Sequence, residues 1–178
     1  MFLKNLSIRY NGDDAFASEA SLFNAADVPT LCEEILNQGA DLRIRVTGQS
    51  MRPAIKTNDV VTVKKVPAES LKLGDLILTR NDSGSLILHR LIKKERDVNH
   101  TVYRTKGDNS MFPDVSITHD KVLGKVYKIE KQNKHHADFL LINLETMRGQ
   151  LFQATMMLLQ LIISFRFRIR KLRKRITP

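Results

Sequence analysis

Ser50 lies between a glycine and a proline, in the run Gly48-Gln49-Ser50-Met51-Arg52-Pro53-Ala54-Ile55. A turn of that composition can present a hydroxyl at the end of a strand. A serine hydroxyl is a poor nucleophile until a neighbour removes its proton, so the run carries chemistry only together with a base. On its own, Ser50 reads as a polar loop residue. Histidine suits the role of base because its ordinary pKa lies near neutrality. His89 follows the apolar run Leu86-Ile87-Leu88 and precedes Arg90, whereas His100 and His119 stand in no pattern. His135-His136-Ala137-Asp138 has metal-ligand residue types but no second ligand cluster, and reads as a linker. No metal and no cofactor is expected. The single cysteine, Cys32, has no sequence neighbour that would lower its pKa, and reads as a helix-packing residue.

Further segments follow Ser50 in a fixed order. Asn58-Asp59-Val60-Val61 and Gly74-Asp75-Leu76-Ile77 are two turn-plus-strand units. His89-Arg90 comes next, then Thr105-Lys106-Gly107-Asp108-Asn109 leading to Asp114, then Val122-Leu123-Gly124-Lys125-Val126. This set resembles the signal peptidase family, which has a serine in an S-M-x-P box, a G-D strand box, a K-R or H-R box and a G-D-N box. The resemblance covers roughly residues 44–130, and its specificity comes from four boxes in order. It is similar to the branch with histidine in place of lysine, and to small soluble bacterial relatives; self-cleaving phage-type repressors share the fold. The resemblance implies Ser50 as nucleophile and His89 as general base. It also implies an acid that orients the imidazole. An ungapped count through the G-D-N box puts that acid at Asp114; Asp108 is the alternative, its other reading being a cap on the turn after Gly107. Gly48, Gln49, Met51 and Pro53 are implied to line a substrate groove, although Met51 reads equally as packing. Arg52 and Arg90 read as solvated or salt-bridged. The implied substrate is an extended peptide or precursor protein that adds as a strand beside the nucleophile.

Two departures qualify the resemblance. Gly48 stands where the family commonly carries a hydroxyl residue that assists the oxyanion hole, leaving the Ser50 backbone N–H and some other donor. Loss of one such donor costs about 10²–10³ in rate. Thr47 is adjacent, but alternation along a strand sends it to the opposite face. The N-terminus also lacks an apolar stretch of signal-peptide or membrane-anchor length. Three functions are therefore carried: a serine endopeptidase, a weak or inactive peptide-binding module of a peptide-modification or secretion system, and a regulator related to self-cleaving repressors. Gly48 favours the second. The third is disfavoured, because the first 41 residues are short for a helix-turn-helix domain and those repressors use lysine as base.

The elements that must hold these residues are mostly strands. At 178 residues the chain suits one hydrophobic core with appendages. Residues 1–41 form a polar lead ending in a helix: Val28-Pro29-Thr30 precedes Leu31, Ile35 and Leu36, and Gly39 stops it. Residues 42–131 form the catalytic β body. Leu42-Arg43-Ile44-Arg45-Val46 alternates, and Val60–Val63, Leu76–Leu78, Leu86–Leu88 and Val122–Ile129 are short apolar runs between turn signals. The expected fold is mainly β: a compact coiled sheet of the signal-peptidase type, with an N-terminal helix and a C-terminal amphipathic helix.

Residues 132–178 form a linker, that helix and a basic tail. Leu151–Phe165 carries no charge. On a helix, Gln150, Gln153, Gln160 and Ser164 make a narrow polar stripe with Met157 inside it, and apolar residues cover the rest. Seven of the net +10 charges come from Arg166, Arg168, Arg170, Lys171, Arg173, Lys174 and Arg175. Fifteen residues rise about 22 Å, short of a bilayer core of roughly 30 Å. Two placements stay open. The segment 151–175 lies in the plane of an anionic membrane surface, or it packs on the β body or a partner. The expected location is cytoplasmic, peripheral to the inner face of the membrane. Nucleic acid is not an expected partner, beyond sequence-independent attraction to the tail.

Overall fold

The computed structural model describes residues 8–9, 27–96, 101–132 and 139–176. It is mainly β: a curled antiparallel sheet with a helix at each end of the chain, in agreement with the expected class. The strands are β1 (Ile8–Arg9), β2 (Leu42–Arg45), β3 (Val60–Lys64), β4 (Leu76–Arg80), β5 (Leu86–Arg96), β6 (Thr101–Lys106), β7 (Ile117–Thr118), β8 (Val122–Gln132) and β9 (Phe139–Asn143). The helices are α1 (Val28–Asn37) and α2 (Met147–Ile176). Strand order is β1-β2-β3-β8-β4-β5-β6-β7, with β9 also on β8. The sheet thus takes strands from both sides of residues 42–131. His100 and the His135–Asp138 run lie outside the described residues.

α1 begins at Asp27 with Pro29 in its first turn, where a missing N–H costs nothing. It ends at Gly39, whose φ of +79° suits glycine, while the Gly39 and Ala40 N–H groups donate to Leu36 O and Ile35 O. Its buried face, Cys32, Ile35 and Leu36, joins the core formed by Leu42, Ile44, Val61, Val63, Leu76, Leu78, Leu88, Val126 and Ile129. Burial pushes the Cys32 thiol up to about 12, so this cysteine stays a neutral packing group. A smaller cluster, Leu71, Ile77, Leu91, Tyr103 and Val122, fills another part of the body.

The two turn-plus-strand units fold by the same chemistry. Asn58 and Gly74 have φ of +74° and +95°, which reverses the chain just before each aspartate. Asp59 Oδ2 accepts from the Lys56 N–H at 2.8 Å, and Asp75 Oδ2 from the Lys72 N–H at 2.9 Å. Each buried carboxylate also meets a lysine of β8: Lys131 with Asp59 at 3.8 Å, and Lys125 with Asp75 at 2.8 Å. β8 is therefore the spine to which both turns are tied.

α2 starts at Thr146, whose hydroxyl accepts from the Gly149 N–H at 3.2 Å. Phe152 and Met156 pack against the main core. Two members of the polar stripe face the body, Gln153 half-buried and Gln160 buried, whereas Gln150 is exposed, as are Leu151, Leu158, Leu161, Ile162 and Phe165. Over residues 147–160 the helix thus packs on its own domain through a mixed face of Phe152, Gln153, Met156 and Gln160. Among the described residues, no helix is long and apolar enough to cross a membrane.

Candidate active site

The Gly48–Ile55 run is a tight loop after β2. The Arg52 N–H donates to Gln49 O and the Ile55 N–H to Met51 O. Met51, Ala54 and Ile55 are buried in the main core and anchor the loop from below. Lys131 Nζ donates to Ala54 O at 2.7 Å, and the Asn109 N–H donates to Ser50 O at 2.7 Å. Ser50 is thereby held from three sides and stays half-exposed. Met51 is a core residue, not an open groove wall. Gln49 and Pro53 are exposed, and Gly48 is half-buried with its carbonyl accepting from the Thr57 hydroxyl at 3.2 Å.

β5 supplies the next group. His89 pairs with Ile77 of β4, and Arg90 with Leu76. Successive strand residues point to opposite faces, so the dipeptide sends its two side chains into different surroundings. His89 Nε2 lies 2.9 Å from Ser50 Oγ, and His89 Nδ1 lies 2.5 Å from Asp114 Oδ2. An ionised carboxylate only accepts, so the ring proton belongs on Nδ1, and Nε2 is left to accept from the serine hydroxyl. Thr105, on β6, fixes the acid: its hydroxyl donates to Asp114 Oδ2 at 2.7 Å, and its carbonyl accepts the Asp114 N–H at 2.8 Å. Burial by itself would raise the Asp114 pKa, but the hydrogen bonds from His89 and Thr105 together outweigh it and leave the carboxyl below its ordinary value. Asp114 is therefore an anion throughout the range in which an imidazole can act as a base.

Asp108, the alternative acid, is not at the histidine. Its two oxygens accept from Arg90 Nε at 2.8 Å and Arg90 Nη2 at 2.7 Å, a buried bidentate pair. Arg90 Nη1 also donates to Gly74 O at 2.8 Å, which ties the G-D-N turn to the G-D turn. Three residues of the boxes shape the site in ways their sequence did not specify, although Arg90 is salt-bridged as expected. Thr105 grips Asp114. Arg90 is a strut between turns. Gly107 lies so close to the site that an added Cβ would stand 2.8 Å from Ser50 O and 3.0 Å from His89 Nε2. The G-D-N box named the turn, but only the fold shows what its glycine touches.

Lys106 ends β6, buried, and burial pushes its ammonium below the usual lysine range. Among the described residues no group of three His, Cys, Asp or Glu side chains is arranged to hold a metal ion.

Comparison with known proteins bears on this arrangement. The chain is 29% identical over 77 residues to signal peptidase I W of Bacillus subtilis (strain 168), which covers 43% of this chain and 40% of that relative. The chain thus matches less than half the length of this curated relative. No solved structure matches significantly. The family model for peptidase S24-like proteins matches residues 12–127, a span that takes in the Ser50 loop, the His89-Arg90 strand and the turn leading to Asp114. On that match, the chain belongs to the peptidase S24-like family.

Proposed function

We propose that the protein is a serine endopeptidase that cleaves an extended peptide or precursor protein, with Ser50 as nucleophile, His89 as general base and Asp114 as the orienting acid. Family membership supports a peptidase or self-cleaving repressor-type function in the broad sense. The observation that carries the finer reading is the unbroken sequence Ser50 Oγ, His89 Nε2 at 2.9 Å, His89 Nδ1 to Asp114 Oδ2 at 2.5 Å. In this mechanism Nε2 takes the hydroxyl proton as Oγ attacks the substrate carbonyl carbon. Asp114 stabilises the imidazolium that forms. As the tetrahedral intermediate collapses, the imidazolium gives its proton to the leaving amine and an acyl-enzyme remains. Water, deprotonated by the same Nε2, then releases the acid product. Gly48 offers no side-chain donor to the oxyanion, so the Ser50 N–H carries a large share of that work and turnover is slow. Substitution tests the reading: Ser50→Ala and His89→Ala each reduce cleavage of a peptide library to background while the fold is kept. Undiminished cleavage by both variants refutes it.

A weak peptide-binding module is the second reading, and Gly48 is the observation that favours it. A fluorophosphonate probe that labels wild type but not Ser50→Ala counts against it.

We also place the protein at the inner face of the membrane, against anionic lipid. The support is the exposed apolar row Leu151, Leu158, Leu161, Ile162 and Phe165, which runs into seven basic residues between 166 and 175. Flotation with vesicles containing anionic phospholipid should carry the full chain and leave a truncation before Leu151 in the pellet. Equal behaviour of the two refutes the placement.

A further inference from the structure

α2 reaches the site at two glycines. Gln160 Nε2 donates to Gly107 O at 3.5 Å, and Gln160 is only 7% exposed although it is a polar residue of a surface helix. One turn earlier, Met157 lies against Gly74, where an added Cβ would stand 2.6 Å from the Met157 sulfur. These two glycines belong to the turns that Arg90 joins, since Arg90 bonds Asp108 with one edge of its guanidinium and Gly74 O with the other. The Gly107 turn in turn touches the chemistry. The Asn109 N–H holds Ser50 O, the Ser110 N–H closes the turn on Gly107 O, and the Gly107 backbone packs beside His89 Nε2. The family match ends at residue 127, so α2 lies beyond the matched span.

We infer that Gln160, seated by Met157, is a positioning residue: it fixes the Gly107–Ser110 turn from outside and so sets the placement of Ser50 against His89. This rests on the serine peptidase reading. The physical reason is that Gly107 O is shared between the Ser110 N–H and Gln160. Gly107 tolerates no side chain that would brace the turn from within, so the brace comes from another element. Burying an amide at that spot costs free energy unless the bond is made, which is why an apolar residue there would pack equally well and position nothing.

Two measurements on the full chain test this. Gln160→Met fills the same space without the donor, and Gln160→Glu keeps the shape with an acceptor only; Arg148→Gln, at an exposed position of the same helix, is the control. The expected result for both Gln160 variants is hydrogen exchange about tenfold faster at the Asn109 and Ser110 amides, with exchange at Ile77 unchanged, and with the melting temperature unchanged in Gln160→Met. Fluorophosphonate labelling of Ser50 should slow by about tenfold, and Arg148→Gln should match wild type. Wild-type exchange at Asn109 and Ser110 in both variants overturns the tether, whether or not Ser50 reacts. Faster exchange with an unaltered labelling rate overturns the positioning role. A wild-type chain that never labels overturns the serine reading and the positioning role with it, and is told apart because the exchange still responds. If Gln160→Met fails to fold, Gln160→Glu alone decides by the same outcomes.

Discussion

Adjacent residues of β5 feed two ion networks that differ in almost every respect. Arg90 and Asp108 have side chains 0% and 2% exposed, meet through two parallel hydrogen bonds, and touch nothing that reacts. His89 is nearly as deeply placed at 7%, but its partner Asp114 is 30% exposed, and the far side of the ring meets a half-exposed hydroxyl. The first network is closed: donors and acceptors are spent on one another, and its task is to hold two turns together. The second is open at one end, where Ser50 can give up a proton. A candidate site is recognised here by that open end. Burial and charge pairing alone would have picked the wrong pair.

Perturbing the two networks should separate their roles. Ser50→Ala should remove all fluorophosphonate labelling with no change in urea midpoint, because the hydroxyl supports only the open network. Asp114→Asn should lower Ser50 reactivity by about 10²–10⁴, through loss of the tautomer that leaves Nε2 free to accept, and should barely change stability. Asp108→Ala should do the reverse. It strands a buried guanidinium, a loss of about 3–5 kcal/mol readable in the urea midpoint, and lowers reactivity less than Asp114→Asn does, through loosening of the turn that Asp108 anchors. Gly48→Ser should raise reactivity by up to about 10², if a hydroxyl there completes the oxyanion hole. No gain would mean that another donor already serves. The smallest effect concerns acid stability. The Asp114 pKa is lower folded than unfolded, so its stabilisation is present above the ordinary aspartate value near ~3.9 and is lost as pH falls through the lower folded value. Asp114→Asn should therefore flatten the acid limb of stability slightly, as followed by urea titration between pH 5 and pH 2 on the order of that window.

Much of this was legible in the sequence because it is local. Alternation in Leu42–Val46 and the short apolar runs marked strands, and Pro29 and Gly39 bracketed α1. The order of the boxes named Ser50, His89 and Asp114, which the fold brings within hydrogen-bond reach of one another. What escaped depends on contacts between distant residues. The count through the box preferred Asp114 over Asp108, six positions away, but that Asp108 meets Arg90 depends on the path of the turn. The direction of α2 was equally hidden. Its periodicity separates a polar stripe from an apolar face, but a hydrophobic pattern cannot say that Gln153 and Gln160 turn inward, since that depends on Leu144 O and Gly107 O waiting for them. β1 and β9 are short strands whose pairing with β2 and β8 supplies what their own composition does not announce.

The hairpin that joins β4 to β5 has a consequence for how this site can change. Asn81 Oδ1 accepts from the Ser85 N–H at 2.7 Å and from the Ser83 hydroxyl at 2.8 Å, and Gly84 has φ of +80°. That bend counts out the residues between Arg80 and Leu86, and so decides the pairing that runs down to His89. One residue lost there would bring Arg90 opposite Ile77 in place of His89, and one residue gained would bring Leu88, some 13 Å away at about 3.3 Å per residue. A solvent-facing loop with no part in the reaction thus works as a ratchet tooth for the active site, and single-residue insertions within it should be far more damaging than substitutions of the same residues.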